Sequence, residues 1–185
     1  MASYCIRDGT EEDLPELHRL MQEIADNEDS GKAIGETTGL ECQALTDISV
    51  DVLLMIEESL KEYGFGEHRY FYFIVVEDTS DKDGPIHLTG FLLYSHAFST
   101  ETGPILNLRY VYITPSYRKK GSAKEMWKYF LKLAIKGNFG RVQWIAKGSD
   151  SLVLRYSQNY GLSNIIKREG WYLFNMSKSK ITAMK

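Results

Sequence analysis

Between Tyr117 and Ala123 the chain reads Tyr-Arg-Lys-Lys-Gly-Ser-Ala, and its Arg118-x-x-Gly121-x-Ala123 is the pattern with the most definite chemistry. It follows a run of aromatic and β-branched residues and a Pro-containing turn, and it precedes a segment of helical periodicity. That order places it at a strand-to-helix junction. Successive N–H groups at a helix start point outward, and the helix dipole favours negative charge there. Gly121 lets the backbone come close to a ligand, and Ala123 leaves the first turn uncrowded. Arg118, Lys119 and Lys120 add charge for phosphate or sulfate. The letters alone would also describe a solvated basic loop; the junction favours an anion cradle.

The elements that must position this turn follow from periodicity. Glu11, Glu12 and Asp13 favour a helix N-terminus, with Thr10 and Asp13 forming a capping box of the less usual acid. Leu14, Leu17, Met21, Ile24 and Ala25 then give residues 11–26 an apolar helical face. Residues 27–46, with Gly31, Gly35 and Gly39, read as a long flexible loop, and a second helix is expected from about Ser49 to Tyr63. Strands are expected over 70–78, 87–98, 105–114 and 142–146, with a hairpin loop at Asp78–Pro85 and a turn at Ser99–Pro104. Ala123, Met126, Trp127, Phe130, Leu131 and Ala134 mark the apolar face of a helix, and Lys124, Lys128, Lys132 and Lys136 mark its other face. A short helix near 150–160 and a strand at 171–176 complete the order β-α-α-β-β-β-α-β-α-β. This is an α/β (α+β) domain spanning 1–185, with a mostly antiparallel central sheet flanked by helices and a late β-α-β crossover.

Composition narrows the class. The 185 residues include 43% apolar and 25% charged side chains, as expected of a folded domain. The longest apolar run, Tyr70 to Val76, is far short of the roughly 18–20 residues of a membrane span. No apolar stretch follows a basic start at the N-terminus, so a secretory signal is not expected. Cys5 and Cys42 are far apart, and His18, His68, His87 and His96 are scattered, so a metal-free, reduced, cytoplasmic protein is expected. The net charge of −3 hides an asymmetry: residues 1–92 carry 6 Lys/Arg against 21 Asp/Glu, and residues 93–185 carry 16 against 4. Such a split suits two charged ligands, one bipolar ligand, or halves that complement each other.

In this context Arg118-x-x-Gly121-x-Ala123 resembles the pyrophosphate-binding loop of the GNAT superfamily of acyl-CoA N-acetyltransferases. The opening SYCIRDGTEEDLPEL, the stretch YGFGEHRYFYFIVVE at 63–77, Ile145-Ala146 and REGWYLF at 168–174 resemble diamine (spermidine/spermine) and thialysine acetyltransferases. The resemblance covers most of the chain, with an extended segment at about 29–47 in excess. It implies acetyl-CoA as co-substrate, with Val111, Tyr112 and Ile113 offering backbone groups to the pantetheine arm. The pyrophosphate would sit on Lys119, Lys120, Gly121, Ser122, Ala123 and Lys124, beside Arg118. It also implies Tyr156 as the acid that protonates the departing thiolate, since a phenol and an alkyl thiol have similar proton affinities. Tyr160, one helical turn later, is the rival. A backbone N–H of the 105–114 strand would stabilise the oxyanion. Glu28, Arg109, Glu169 and Trp171 occupy positions implied to meet the amine, and a homodimer is implied as well.

The chain also departs from that pattern. Diamine acetyltransferases carry Leu-Glu-Asp in this strand, whereas this chain reads Leu108-Arg109-Tyr110. The upstream turn reads Ser99-Thr100-Glu101 where relatives place an acid and a Trp, and Ser149 stands where Asn is expected. A like charge at about 4 Å and an effective dielectric of about 20 costs about 4 kcal/mol, so Arg109 disfavours a polycation. An amine that also bears a carboxylate, such as a thialysine-like amino acid, would suit it better. Loss of the acidic pair leaves a second reading open, a pseudoenzyme that binds CoA without efficient acetylation. A nucleic-acid surface is disfavoured, because Trp127 and Phe130 fall on the apolar helical face.

Overall fold

The computed structural model describes residues 3–29, 57–81 and 84–145, together with Asn164, Arg168 and Thr182. The chain divides into two compact units, Met1–Lys147 and Gly148–Lys185. In the second, the Arg168 N–H donates to the Asn164 carbonyl at 3.0 Å. All of the elements below belong to the first.

Strand β1 (Tyr4–Asp8) leads through a 3-10 turn at Glu11–Asp13 into helix α1 (Leu14–Asp29). Helix α2 (Glu57–Phe65) precedes strands β2 (Tyr72–Asp78), β3 (Leu88–Ser99) and β4 (Gly103–Ile113). Helix α3 (Ser122–Lys136) then crosses over to β5 (Arg141–Gln143). The sheet runs in the order β1-β2-β3-β4-β5, antiparallel except for the parallel β4–β5 pair. This is the mainly antiparallel α/β arrangement expected from the strand grammar, with the late crossover in place.

Several boundaries differ from expectation. Residues 27–29, expected in a flexible loop, continue α1, because the backbone hydrogen-bond ladder outlasts the apolar periodicity that marked the helix. The second helix is described from Glu57 and runs two residues beyond Tyr63, with the Gly66 N–H closing on the Glu62 carbonyl at 3.0 Å. Its expected beginning, most of the 29–47 segment, the 150–160 helix and the 171–176 strand lie outside the described residues.

Apolar side chains fill both faces of the sheet. Leu17, Leu20, Ile24 and Leu60 of α1 and α2 pack on Phe73, Val75, Phe91, Leu93, Tyr110 and Tyr112. Ala123, Met126, Phe130 and Ala134 of α3 pack on Ile74, Val76, Leu92, Leu108, Val111 and Ile113. Coverage on both faces explains why β2 reads as a continuous apolar run rather than an alternating one.

A buried ionic knot ties the first strand, the first turn and β2 together. Arg7 grips Asp13 through Nη1 and Nη2, each at 2.7 Å, and donates from Nε to Glu77 at 2.7 Å. Asp13 is fully buried and also accepts the Thr10 N–H at 2.8 Å. The shorter acid closes the capping box because this turn is the tighter 3-10 form. Burial alone would raise the Asp13 carboxyl, but the hydrogen bonds from Arg7 and Thr10 hold it below the usual carboxylate range.

Arg7→Met therefore leaves a buried carboxylate uncompensated, and a loss of about 3–5 kcal/mol is expected in urea unfolding. A group held below its ordinary value stabilises fully above that value and loses its contribution as pH falls through the depressed one. In the variant the unpaired carboxyl is shifted upward and gains from protonation. The gap between the two proteins should start to narrow as pH falls to the variant's raised value, above the ordinary carboxylate range, and go on narrowing down to the wild type's depressed one, read from urea midpoints.

Candidate active site

The turn between β4 and α3 has the geometry of an anion cradle. Gly121 adopts φ +88°, and Lys119, two residues earlier, adopts φ +61°. A Cβ built on Gly121 would meet nothing nearer than the Tyr4 hydroxyl at 4.0 Å, so backbone conformation, not crowding, calls for glycine here. The first helical bond runs from the Glu125 N–H to the Gly121 carbonyl at 3.2 Å. The N–H groups of Ser122, Ala123 and Lys124 thus face out of the helix end. Ser122 and Ala123 are buried small side chains that let the helix start lie close to the sheet, whereas Lys119, Lys120 and Lys124 are exposed.

Arg118 turns back toward β4 instead of outward. Its Nε donates to the Ile113 carbonyl at 2.9 Å and its guanidinium lies 5.8 Å from the Tyr112 ring centre. Its Nη2 is buried with no hydrogen-bond partner among the described residues. Lys120 Nζ sits 4.4 Å from the Tyr117 ring centre, and the Tyr117 hydroxyl donates to Asp78 at 2.8 Å. Bonds from Ser80 and then Tyr117 hold the Asp78 carboxyl down at about 2, so the anchor stays charged across the physiological range. The open space at Gly121, the free helix end and the orphaned Arg118 nitrogen together fit a pyrophosphate group. Bound there, acetyl-CoA would supply an activated acetyl thioester.

Among the described residues, the strand that leads to this turn has a β5 partner along only part of its length. Register with β5 covers Ile105 to Asn107 alone, while β4 continues to Ile113. Beyond Asn107, the β4 backbone groups that point away from β3 have no described β5 residue in register. Val111, Tyr112 and Ile113 lie in this stretch with buried side chains. At the end of β4, the Thr114 hydroxyl donates to Glu23 of α1 at 3.3 Å. Burial, and then Glu23, push the Tyr112 phenol above its usual range.

Arg109 sits at a bulge. Leu93 pairs with Tyr110 and Tyr94 with Leu108, so Arg109 is the extra residue of β4. The bulge shifts the alternation: Leu108 packs on the α3 side, whereas Tyr110 packs under α1. Arg109 lines a cleft of about 490 Å³ with Asn107, Leu93, Ser95, Phe71, Tyr63 and Tyr70. Tyr63 and Tyr70 meet edge to face at 5.6 Å and are joined by a 2.8 Å bond from the Tyr70 N–H to the Tyr63 carbonyl. Sequence reasoning found Arg109 but none of its companions, since they share a face only once the register is known.

Glu28 lies in the last turn of α1. Tyr156, Glu169 and Trp171 lie outside the described residues. Among the described residues no group of three His, Cys, Asp or Glu side chains could hold a metal ion, and no helix is long and apolar enough to cross a membrane. Trp127 packs against Phe130 and Trp144, and Phe130 is fully buried, as expected for core residues and not for stacking platforms.

A family model described as acetyltransferase (GNAT) family matches residues 43–154. The human spermidine/spermine N(1)-acetyltransferase-like protein 1 is 24% identical over 185 residues, all of this chain, which spans 24% of that protein's length. The thialysine N-epsilon-acetyltransferase of Sus scrofa is 24% identical over 176 residues, 94% of this chain and 92% of that protein. Among solved structures, an integron cassette protein from the mobile metagenome of V. cholerae superposes with a TM-score of 0.67 at 19% identity, covering 99% of this chain and 98% of that one. The aminoglycoside N-acetyltransferase AAC(6')-Iy in complex with CoA superposes at 0.60 with 13% identity, covering 96% of this chain and 97% of that one.

Gly121→Ala should destabilise the fold by about 1–2 kcal/mol in urea unfolding, the cost of a left-handed conformation for a residue with a Cβ. Lys119→Ala exchanges one such residue for another and should leave stability unchanged. Equal effects of the two substitutions would show that backbone conformation at the turn is not what selects glycine.

Proposed function

Because the chain belongs to the acetyltransferase (GNAT) family, we propose that it is an acetyl-CoA-dependent N-acetyltransferase acting on a primary amine of a small molecule, a diamine or polyamine or a thialysine-like amino acid. The observation that carries this reading is the parting of β4 from β5 just before the left-handed Gly121 and the start of α3. A strand end without a described β5 partner, followed by a helix start, suits an extended thiol-bearing arm followed by a pyrophosphate.

In this reading Val111, Tyr112 and Ile113 hold the arm with backbone groups, and Lys119 to Lys124 hold the phosphates. A β4 N–H polarises the thioester carbonyl and stabilises the oxyanion. The substrate ammonium first loses one proton to water; the neutral amine nitrogen then bonds to the carbonyl carbon, the C–S bond breaks with its electron pair going to sulfur, and Tyr156 gives that sulfur a proton. The second proton, lost by the nitrogen as the amide forms, passes through water and restores the Tyr156 phenol. Glu28, Glu169 and Trp171 belong to the amine side. By the same resemblance we read the protein as a cytoplasmic homodimer, which sedimentation analysis tests.

A second reading, a CoA-binding pseudoenzyme, draws on the cleft itself. No carboxylate lines it among the described residues, so a proton acceptor beside the amine is missing there. Calorimetric titration with CoA and a thiol-release assay over a panel of amines separate the two. Binding with turnover supports the enzyme, and binding without turnover supports the pseudoenzyme. Tyr156→Phe should lower kcat by about 10²- to 10⁴-fold with CoA affinity unchanged. An unchanged kcat in that variant, with loss in Tyr160→Phe, would move the role to Tyr160.

A further inference from the structure

We propose that the cleft at the β4 bulge binds the carboxylate of the acceptor, so that the substrate is an amine on a molecule that also carries a carboxylate, with Arg109 as the residue that selects it. The inference rests on the acetyltransferase reading and narrows its acceptor.

Four observations carry it. The bulge brings consecutive residues of β4, Arg109 and Tyr110, to the face covered by α1 and α2, and Arg109 reaches the cleft there. Arg109 is the one charged side chain among the described residues lining the cleft, and no described carboxylate pairs with it. Its polar neighbours there, Asn107 and Ser95, are neutral groups that can each donate a hydrogen bond. A guanidinium fork beside an amide and a hydroxyl matches a carboxylate, which accepts from several donors at once. Finally, Tyr63 and Tyr70 present aromatic surface on the other side of the cleft, suited to the carbon body of the ligand.

The charge balance works against the alternative. A polyamine brings only cations, and in this cleft the described side chains offer it one cation and no anion. A zwitterionic acceptor places its negative end at Arg109, and its amine is left to reach the stretch of β4 that has no described β5 partner. Arg109 does no acid–base chemistry in this scheme: it orients the acceptor and sets which acceptors bind.

Lysine and cadaverine test the point, because they share the amine chain and differ by the carboxylate. Acetyl transfer and calorimetric binding in the presence of CoA are measured for both, and for spermidine, in the wild type and in Arg109→Ala and Arg109→Glu. The wild type should favour lysine over cadaverine by about 10- to 100-fold in kcat/KM, or in affinity if no turnover occurs, the range expected of one charge-assisted contact. Arg109→Ala should bring that ratio close to one, mainly through KM, and Arg109→Glu should invert it. CoA affinity should be the same in all three proteins, which shows that the variants are folded. Cadaverine or spermidine preferred by the wild type, no binding of either matched compound, or an unchanged ratio in Arg109→Ala would overturn the proposal. Failure of the broader reading has a different signature, namely no binding of CoA by the wild type.

Discussion

The site depends on one disagreement in length: β4 runs from Gly103 to Ile113, and its parallel neighbour β5 keeps register only from Ile105 to Asn107. A strand in the middle of a sheet satisfies its backbone on both sides, and its polar groups are costly if buried without partners. Here one side is satisfied along the strand by β3, and on the other no described residue is in register after Asn107. The bulge at Arg109 falls where the pairing ends, so one irregularity in β4 turns a side chain into the cleft just before the strand becomes available.

A strand left open on one side must be held from elsewhere, and α1 does much of this. Glu16 and Arg19 bond to each other, and between them they satisfy both backbone groups of Leu88, the first residue of β3. One turn later Glu23 accepts from Thr114 at the far end of β4 and sits 3.5 Å from Arg19. The same face of α1 supplies Leu17, Leu20 and Ile24 to the core beneath. The ionic knot of Arg7, Asp13 and Glu77 fixes where this helix starts. Arg118 caps the Ile113 carbonyl and so connects the end of the open strand to the turn that follows. The cradle is thus tied to the acceptor side through β4 and α1.

How much of this was legible depended on the range of the interaction involved. The basic turn, the strands over 70–114 and the helix after it are local in their causes, since periodicity, glycine and proline act over a few residues. The capping acid at Asp13 was also legible, although the bridge by which Arg7 joins it to Glu77 was not, because Glu77 lies on a strand far along the chain. The cleft could not be read: Tyr63, Ser95 and Asn107 meet Arg109 only through the β3–β4 register and the bulge. Nor could the sequence show how Arg118 is held: its guanidinium is engaged by a carbonyl and an aromatic ring on β4, with Nη2 left without a partner among the described residues. Residue type shows that a charge is present; tertiary packing decides where it points.

The same distinction limits what the charge split between the halves can mean. Of the lysines on α3, Lys128 pairs with Glu125 at 2.7 Å, and Lys124, Lys128, Lys132 and Lys136 all lie on its exposed face. Pairing of this kind on a solvated helix contributes little affinity for anything else. The cationic groups placed to act on an anion at the turn are therefore few: Lys119, Lys120 and Lys124 at the helix start, and Arg118 behind them. Five described acidic groups of the first half, Glu11, Asp13, Glu16, Glu23 and Glu77, are likewise paired with Arg7, Arg19 or Lys61. Neither half's total measures a ligand field. In the cleft the one charge among the described lining residues is Arg109, with the sign opposite to that of the half of the molecule whose helices cover it.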